Sequence, residues 1–571
     1  MQPRTPLFAF RWWMPGAMLF LLAAMALVYA AGRGSDGSWL IVGSRAWWVV
    51  TTLLHLPFMA ILFFLLMGLF ERIGYYWKGR AQEMPGRLPE TYPMVCVQLP
   101  MFNEHAVARR VIEAAAAMTW PTDRLSIQVL DDSTDADTRW LVEQISADIR
   151  SRGIDCRVLH RTDRQGYKAG ALEAGRRQTE AEFLVIFDSD FVPPADFLVQ
   201  VIPHFYQPDG MPEADLALVQ AQWGHLNHNQ WALTLSQSLW VDDHHTLQMS
   251  WRSAAYQFVN FTGTAGVWRA SAIEAAGGWK ARSLVEDCEL SFRSLFAGYR
   301  TKFVKEIVAP AELPATVTAY KAQQKRWTQG WVQLQRMHLG TMLLDYPAAL
   351  RRRVHLLYMM CISWQWPLWG VWMLTLPILV YTGHWYGALN PVVGVMFYLL
   401  PSLFWLTLSA TIASLETRHT YSKPLTIRTF LGRVARIIPN VVISTGMLPH
   451  QFSAFCEGLF GPMSSEFERT PKGASITRSE SDAGVKPAAR RAYKVKIHRP
   501  YVLTEFFFCA YFAVWAALFA SAGLIWCMII AVYMTTCILY LVFHYGDHDG
   551  KVLFVVDRSK LAIRRNSPRQ A

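Results

Sequence analysis

The sequence predicts an α/β protein, a doubly wound domain on a parallel sheet held between membrane-spanning helices. Three observations lead there. Hydrophobic residues make up 52% of the 571-residue chain and charged residues only 17%, a balance too apolar for an ordinary soluble domain. The formal charge of +12 gathers at the ends of long apolar runs, which fits the positive-inside rule and not a basic stripe for nucleic acid. Between residues 85 and 318, strand-like and helix-like stretches alternate, as βαβ units require.

Residues 1–84 form an N-terminal transmembrane hairpin. The apolar runs at 14–31 and 47–70 can each cross a hydrocarbon core of about 30 Å. The first lacks a clear small-residue cleavage site and is read as a retained span. In the domain at 85–318, MVCVQLP precedes a helix around 107–118, and LSIQVLDD precedes one around 138–150. CRVLH then leads to a helix around 169–178, followed by FLVIFDSD. No G-x-G-x-x-G follows the first strand, so the dinucleotide fingerprint is absent.

Residues 319–350 hold an amphipathic helix with Trp327, Trp331 and Leu334 at helical spacing, placed in the membrane interface because tryptophan favours that layer. Arg351, Arg352 and Arg353 precede a long predicted span at 354–381, and a fourth follows at 392–413. The stretch to 460 is broken by Pro439, Gly446 and Pro449 and is read as interfacial or re-entrant. Residues 461–500 are a polar, basic cytoplasmic loop. A C-terminal hairpin at 501–545 (spans 502–522 and 524–544) and a basic tail at 546–571 complete about six spans, with the positive loops on one side. The eight cysteines include no C-x-x-C pair, so neither a disulfide framework nor a zinc site is expected.

The chemistry centres on the apolar run 183–187, which drives into Asp188, Ser189 and Asp190. Ligands bind open α/β sheets at such strand ends. Positions i and i+2 of an extended chain face one way, so Asp188 and Asp190 could share a hard cation with water and a diphosphate. The plain alternative is a strand and an Asx-rich turn. Asp131 and Asp132 end a second strand on the same edge, or cap the next helix. Lys168 follows a glycine turn and offers a point charge to phosphate, while Arg326 offers a planar fork. A solvated lysine and a membrane-anchoring arginine are their alternatives. Adjacent helical residues point about 100° apart, so His244 and His245 are read as hydrogen-bonding or core residues and not as a metal pair.

Several motifs occur in one order: PMFNE (100–104), LDDSTD (130–135), GYKAGAL (166–172), FDSD (187–190), FTGTAGVWR (261–269), VED (285–287) and QQKRW (323–327). The series resembles the family 2 glycosyltransferases that polymerise β-glycans, most closely the cellulose-synthase-like family A of glucomannan mannosyltransferases and β-glucan synthases. The resemblance implies a glycosyltransferase A-type fold for the cytosolic domain. It implies that Asp287 is the general base and that Asp188 and Asp190 hold Mg²⁺ or Mn²⁺. Phe102, Glu104, Asp131, Asp132, Lys168, Asp188 and Arg326 would meet the nucleotide. Trp327 would be the acceptor platform, with Gln323, Thr262, Gly263 and Thr264 beside it. FERTPKG (467–473) resembles a gating loop, so Thr470 and Lys472 would reach the bound nucleotide; a plain basic linker is the alternative. Val285 stands where many relatives have Thr, and Phe102 where many have Tyr, which keeps a stacking face without the phenol.

The implied activity is a membrane-embedded, inverting, processive synthase. It would take UDP-glucose or GDP-mannose and extend a polysaccharide through β-linkages, expected to be 1,4. Membrane lipids are its surroundings, accessory subunits are compatible, and nucleic acid is not a partner. The expected location is the plasma (inner) membrane with the catalytic domain cytoplasmic, or the Golgi membrane in a eukaryote. The runner-up is a lipid glycosyltransferase of the ceramide-glucosylating kind, opposed by the N-terminal hairpin and the gating-type loop. A transporter with an inactive domain is opposed by the scarcity of intramembrane ionisable residues beyond His55 and Glu505. Trp364, Trp366, Trp369 and Trp372 crowd the third predicted span. Trp366, Trp369 and Trp372 form a stripe that either lines the exit path or packs on a neighbouring helix.

Overall fold

Buried apolar runs build the sheet. Val95–Met101 (β1), Leu125–Asp131 (β2), Asp155–His160 (β3) and Phe183–Ile186 (β4) pair in parallel, β1 lying between β2 and β4. Leu216–His225 (β5), Gly266–Arg269 (β6) and Arg300–Ala311 (β7) complete the order β3-β2-β1-β4-β6-β5-β7. This computed structural model describes residues 45–81, 83–228, 230, 232–381, 426–435, 437–463 and 499–543.

The sheet is mixed, which corrects the all-parallel expectation: β6 runs antiparallel to both β4 and β5. The chain reaches β6 from the loop at 262–264, beside the C-terminal end of β4, and must descend from that edge. The winding reverses between β1 and β4, so the loops on this edge part around a crevice.

Among the described residues, the α-helices of ten or more residues, in order, are Arg45–Gly74 (α1), His105–Ala116 (α2), Ala136–Ser151 (α3), Tyr167–Arg176 (α4), Ala232–Asp242 (α5), Glu286–Phe296 (α6) and Val317–Gly340 (α7). Leu350–Met360 (α8), Gln365–Tyr381 (α9), Ile437–Gly446 (α10), Leu448–Phe460 (α11), Arg499–Ser521 (α12) and Ile525–Phe543 (α13) follow. Helix α4 packs tightly on the sheet: a Cβ at Gly175 would lie 2.7 Å from both Gln98 Nε2 and Gln128 Oε1. Those glutamines pair across β1 and β2 at 2.9 Å, and Gln128 Nε2 donates to the Gly175 carbonyl at 3.1 Å. Two polar side chains are thus accommodated in the core.

Among the described residues, Leu56–Gly79, Arg499–Ser521 and Ile525–Phe543 are long and apolar enough to cross a membrane. They correspond to the predicted spans at 47–70, 502–522 and 524–544. The predicted spans at 14–31 and 392–413 lie outside the described residues. The single span expected at 354–381 is instead two helices, α8 and α9, separated by a 3-10 turn at Ile362–Trp364. The break has a physical cause. Helix α8 buries Leu356, Tyr358, Met359 and Met360 in a cluster with Phe258 and Phe292. Gln335 of α7 donates to the Met360 carbonyl at 2.8 Å and to Ser363 Oγ at 2.9 Å, holding the turn. Residues 437–460 form two short helices, α10 and α11. Helix α7, expected to lie as an amphipathic helix in the membrane interface, is buried on most sides, and its Gln333 and Gln335 hydrogen-bond within the protein.

Charged pairs join α1 to the α/β domain. Arg252 donates to Glu71 at 2.6 and 3.0 Å, and Arg72 Nε donates to Asp243 Oδ1 at 2.8 Å. His355 Nε2 lies 3.3 Å from Glu71 and its ring stacks on Tyr256. Glu71 and Arg252 are both buried, so removing one partner leaves a buried charge unpaired at a cost of about 3–5 kcal/mol. Arg252→Met is expected to lower the melting temperature of the detergent-solubilised protein sharply. The double variant Glu71→Gln/Arg252→Met should recover most of the loss. A single variant melting with wild type would contradict this account.

Candidate active site

The C-terminal ends of β1, β2 and β4 gather the acidic motifs on one edge. Beyond β4 the chain turns: the Phe191 N–H donates to the Asp188 carbonyl at 3.0 Å. The turn, and not extended-strand alternation, therefore sets how Asp188 and Asp190 sit, although both line one cavity. The Asp188 N–H donates to Thr264 Oγ1 at 2.9 Å. Lys168 Nζ donates to Asp188 Oδ1 at 2.5 Å and to the Gly263 carbonyl at 2.7 Å. Asp190 is buried, and its carbonyl accepts from Arg110 at 3.3 Å.

At the end of β2, Asp132 accepts two bonds from Arg161 at 2.8 and 2.5 Å. Asp131 accepts from the Ser133 N–H at 3.0 Å and lies 3.2 Å from His160 Nδ1. The cap of α3 is Asp135, through the Thr138 N–H at 3.0 Å, so neither Asp131 nor Asp132 serves that purpose. Phe102 offers a ring face, and the Arg164 guanidinium already covers it, 3.4 Å from the centroid. Glu104 is buried and lines the cavity.

Asp287 sits in the first turn of α6, where the helix dipole favours a carboxylate. Its Oδ1 accepts the Cys288 N–H at 2.8 Å. Its Oδ2 faces Gly263, where an added Cβ would lie 2.9 Å away; φ there is +84°, a conformation glycine adopts freely. Burial holds the Asp287 carboxyl above the usual carboxylate range, opposed by the Lys168 charge. Burial and the neighbouring Asp287 push Glu286 up to about 7. Glu286 was not singled out from the sequence, although it stands in the same motif.

Gln220 of β5 holds the loop at 262–265. Its Oε1 accepts the Thr262 N–H at 3.1 Å, and its Nε2 donates to the Thr264 and Ala265 carbonyls at 3.0 Å. A glutamine within a strand carries no motif, so no sequence signal marked it. Thr262 Oγ1 is buried without a hydrogen-bond partner among the described residues. Gln323, Arg326 and Trp327 of α7 line the same cavity. Helix α7 comes close to the acidic turn because Gly330 allows it: a Cβ there would lie 2.6 Å from Val285 Cγ1. Gln333 Oε1 also accepts the Leu284 N–H at 3.0 Å.

The cavity measures about 1750 Å³, more than the roughly 300–1,000 Å³ of a single-ligand site. It extends from the carboxylates past Trp331 to Trp366 and Trp369. Trp372 is not part of its lining; it is fully buried against Phe58, with ring centroids 5.0 Å apart. Trp364 donates to Gln335 Oε1 at 2.8 Å. His244 lies 2.9 Å from Gln248 Oε1, and burial brings it down to about 4. His245 packs on Trp223, with ring centroids 5.0 Å apart. His244 is half-buried and hydrogen-bonded and His245 is buried, matching the reading of hydrogen-bonding or core residues, and both line the cavity. Thr470 and Lys472 lie outside the described residues.

Two family profiles match the chain: Glycosyl transferase family 2 over residues 96–236 and Glycosyl transferase family group 2 over residues 183–413. The chain is similar to probable glucomannan 4-beta-mannosyltransferase 4 of Oryza sativa subsp. japonica, 35% identical over 371 residues, covering 59% of this chain and 67% of that protein. Probable glucomannan 4-beta-mannosyltransferase 2 of the same plant is 40% identical over 50% of each chain. Glucomannan 4-beta-mannosyltransferase 9 of Arabidopsis thaliana is 40% identical over 47% of this chain and 50% of its own. The chain spans about half the length of most of these curated relatives. Among solved structures, a mannosyltransferase from Pyrobaculum calidifontis in complex with GDP-Man and Mn²⁺ aligns at 17% identity and a TM-score of 0.47, covering 69% of this chain and 97% of that one.

Proposed function

Because the chain belongs to the family 2 glycosyltransferases, with the glucomannan 4-beta-mannosyltransferases as relatives, we propose that it transfers a hexosyl group from a nucleotide sugar to the end of a growing glycan, with inversion. GDP-mannose is the preferred donor and the linkage is β-1,4; UDP-glucose is the alternative donor. The observation that carries this reading is the half-buried Asp287, set beside Lys168 and Gly263 in a cavity that also holds Asp188, Asp190 and Trp327.

The roles follow from charge. Asp287 removes the proton of the acceptor hydroxyl, and that oxygen attacks the anomeric carbon. The bond from this carbon to the diphosphate oxygen breaks on the opposite side, so the configuration inverts. Lys168 and Arg326 take up charge on the departing nucleoside diphosphate. Trp327 gives the acceptor ring a flat apolar face. The donor set for a metal is two carboxylates at the cavity edge, which suits a hard divalent cation completed by substrate phosphate oxygens. Mg²⁺ or Mn²⁺ bound there would act as a Lewis acid on the diphosphate. The α/β domain faces the cytoplasm, where nucleotide sugars are made, and the product passes Trp331, Trp366 and Trp369 into the membrane region.

The direct test offers isolated membranes a panel of radiolabelled nucleotide sugars. A β-1,4-linked polymer from GDP-mannose is expected, and no polymer from any donor would refute the reading. Asp287→Asn should lower transfer by about 10²–10⁴ while the donor KM stays near wild type; turnover within about threefold of wild type would remove Asp287 from the mechanism. The base acts deprotonated and burial raises its proton affinity. In the wild type, kcat/KM should therefore fall on acidification along a limb above the ordinary carboxylate value of about 4.

Activity should also require a divalent ion, with Asp190→Ala inactive at any metal concentration. Full activity in excess chelator would contradict the metal role. The tryptophans divide by position. Trp366→Leu and Trp369→Leu should shorten the polymer while donor hydrolysis continues, whereas Trp372→Leu should lower thermal stability and leave polymer length unchanged. Wild-type polymer from the Trp366→Leu/Trp369→Leu double variant would place the exit path elsewhere.

A further inference from the structure

Glu505 is an ionisable residue within an apolar helix, α12, and glycosyl transfer as derived above makes no use of it. It is fully buried. Both its carboxylate oxygens accept from Lys321 Nζ at 2.9 Å, and Oε1 lies 3.1 Å from His450 Nδ1. His450 Nε2 lies 3.0 Å from the Lys321 carbonyl, closing a ring of contacts among α7, α11 and α12. The next residue extends the grip: Gln451 Nε2 donates to Gln324 Oε1 at 3.0 Å, and Gln451 Oε1 accepts from Thr328 at 2.5 Å. One turn along α7, Lys325 lies 3.3 Å from Glu457, which accepts the Tyr501 hydroxyl.

All these contacts hold α7 between residues 321 and 328, the stretch that carries Gln323, Arg326 and Trp327. Farther along, α7 presses on the acidic turn through Gly330 and Gln333. A buried ion pair adds little stability over a well-packed apolar pair. What it does supply is directional bonding, which fixes the height of one helix against another. We propose that Glu505, Lys321, His450 and Gln451 are positioning residues that fix α7 along its axis, so that Gln323 and Trp327 present the acceptor hydroxyl to Asp287. The proposal rests on the functional reading above for the roles of Trp327 and Asp287. A shift of about 1 Å in such a group can cost roughly 10²-fold in rate.

The test uses the full chain in detergent, with Glu505→Gln and Gln451→Leu. The second variant leaves no buried charge unpaired and so keeps the question open if the first fails to fold. Two quantities are measured: hydrogen exchange of the α7 amides at 321–328, and transfer to acceptor compared with donor hydrolysis in its absence. Exchange in α7 should accelerate at least about tenfold while β1 and β4 are unchanged. Transfer per folded molecule should fall by about 10- to 100-fold, with the donor KM and donor hydrolysis within about twofold of wild type. Transfer within twofold of wild type in the folded variants would overturn the positioning role, whatever happens to exchange. So would unchanged exchange at 321–328. If the wild type itself uses no sugar donor, the functional reading fails, and the exchange measurement alone decides whether the lock exists.

Discussion

The catalytic region depends on one ammonium group placed among carboxylates. Asp188, Asp190, Glu286 and Asp287 line one cavity, and carboxylates crowded together in a buried place raise one another's proton affinity. Lys168 counters this at close range, bonded to Asp188 and to the Gly263 carbonyl. Its position ties together the start of α4, the end of β4 and the loop before β6. The same loop must pass close to Asp287, which is why residue 263 has no side chain: a Cβ there would crowd the Asp287 carboxylate at 2.9 Å. The lysine and the glycine thus serve one requirement, an acid that is half-buried yet still ionisable.

The sheet supplies the frame for this balance. Parallel strands deliver the Asp131, Asp132, Asp188 and Asp190 segments to one edge because all their C-terminal ends lie there. A parallel strand could not also return chain from that edge, and β6 does so by running the other way. Gln220 then pins the descending loop by three bonds, and Thr264 passes the restraint on to the Asp188 amide.

What could be read in the sequence was local. The first strands and helices appear close to their expected places because unbroken apolar runs and helical periodicity are properties of neighbouring residues. The acidic strand ends and the Glu286-Asp287 turn were legible for the same reason. The parts that were not legible depend on distant partners. The direction of β6 is set by pairing with β4, far back in the chain. The break between α8 and α9 is held by Gln335 from another helix. Helical spacing put Trp366, Trp369 and Trp372 on one stripe, but it could not show where that stripe leaves the cavity; Trp372 meets Phe58 of α1 instead. Glu505 read as an isolated intramembrane acid because its lysine lies 184 positions away.

The buried ion pairs explain how the α/β domain and the long apolar helices are held together. A lone charge in such a place would be costly, so each pair penalises separation of the parts it joins. Glu71 and Arg72 on α1 reach Arg252 and Asp243 on the α/β side, and Glu505 on α12 reaches Lys321 on α7. These attachments lie on different helices, one reaching the α/β domain directly and the other through α7, which packs on the acidic turn at Leu284 and Val285. A single attachment would leave it free to rock; separate ones fix its orientation. The lining from Asp287 past Trp327 to Trp366 and Trp369 then keeps its geometry.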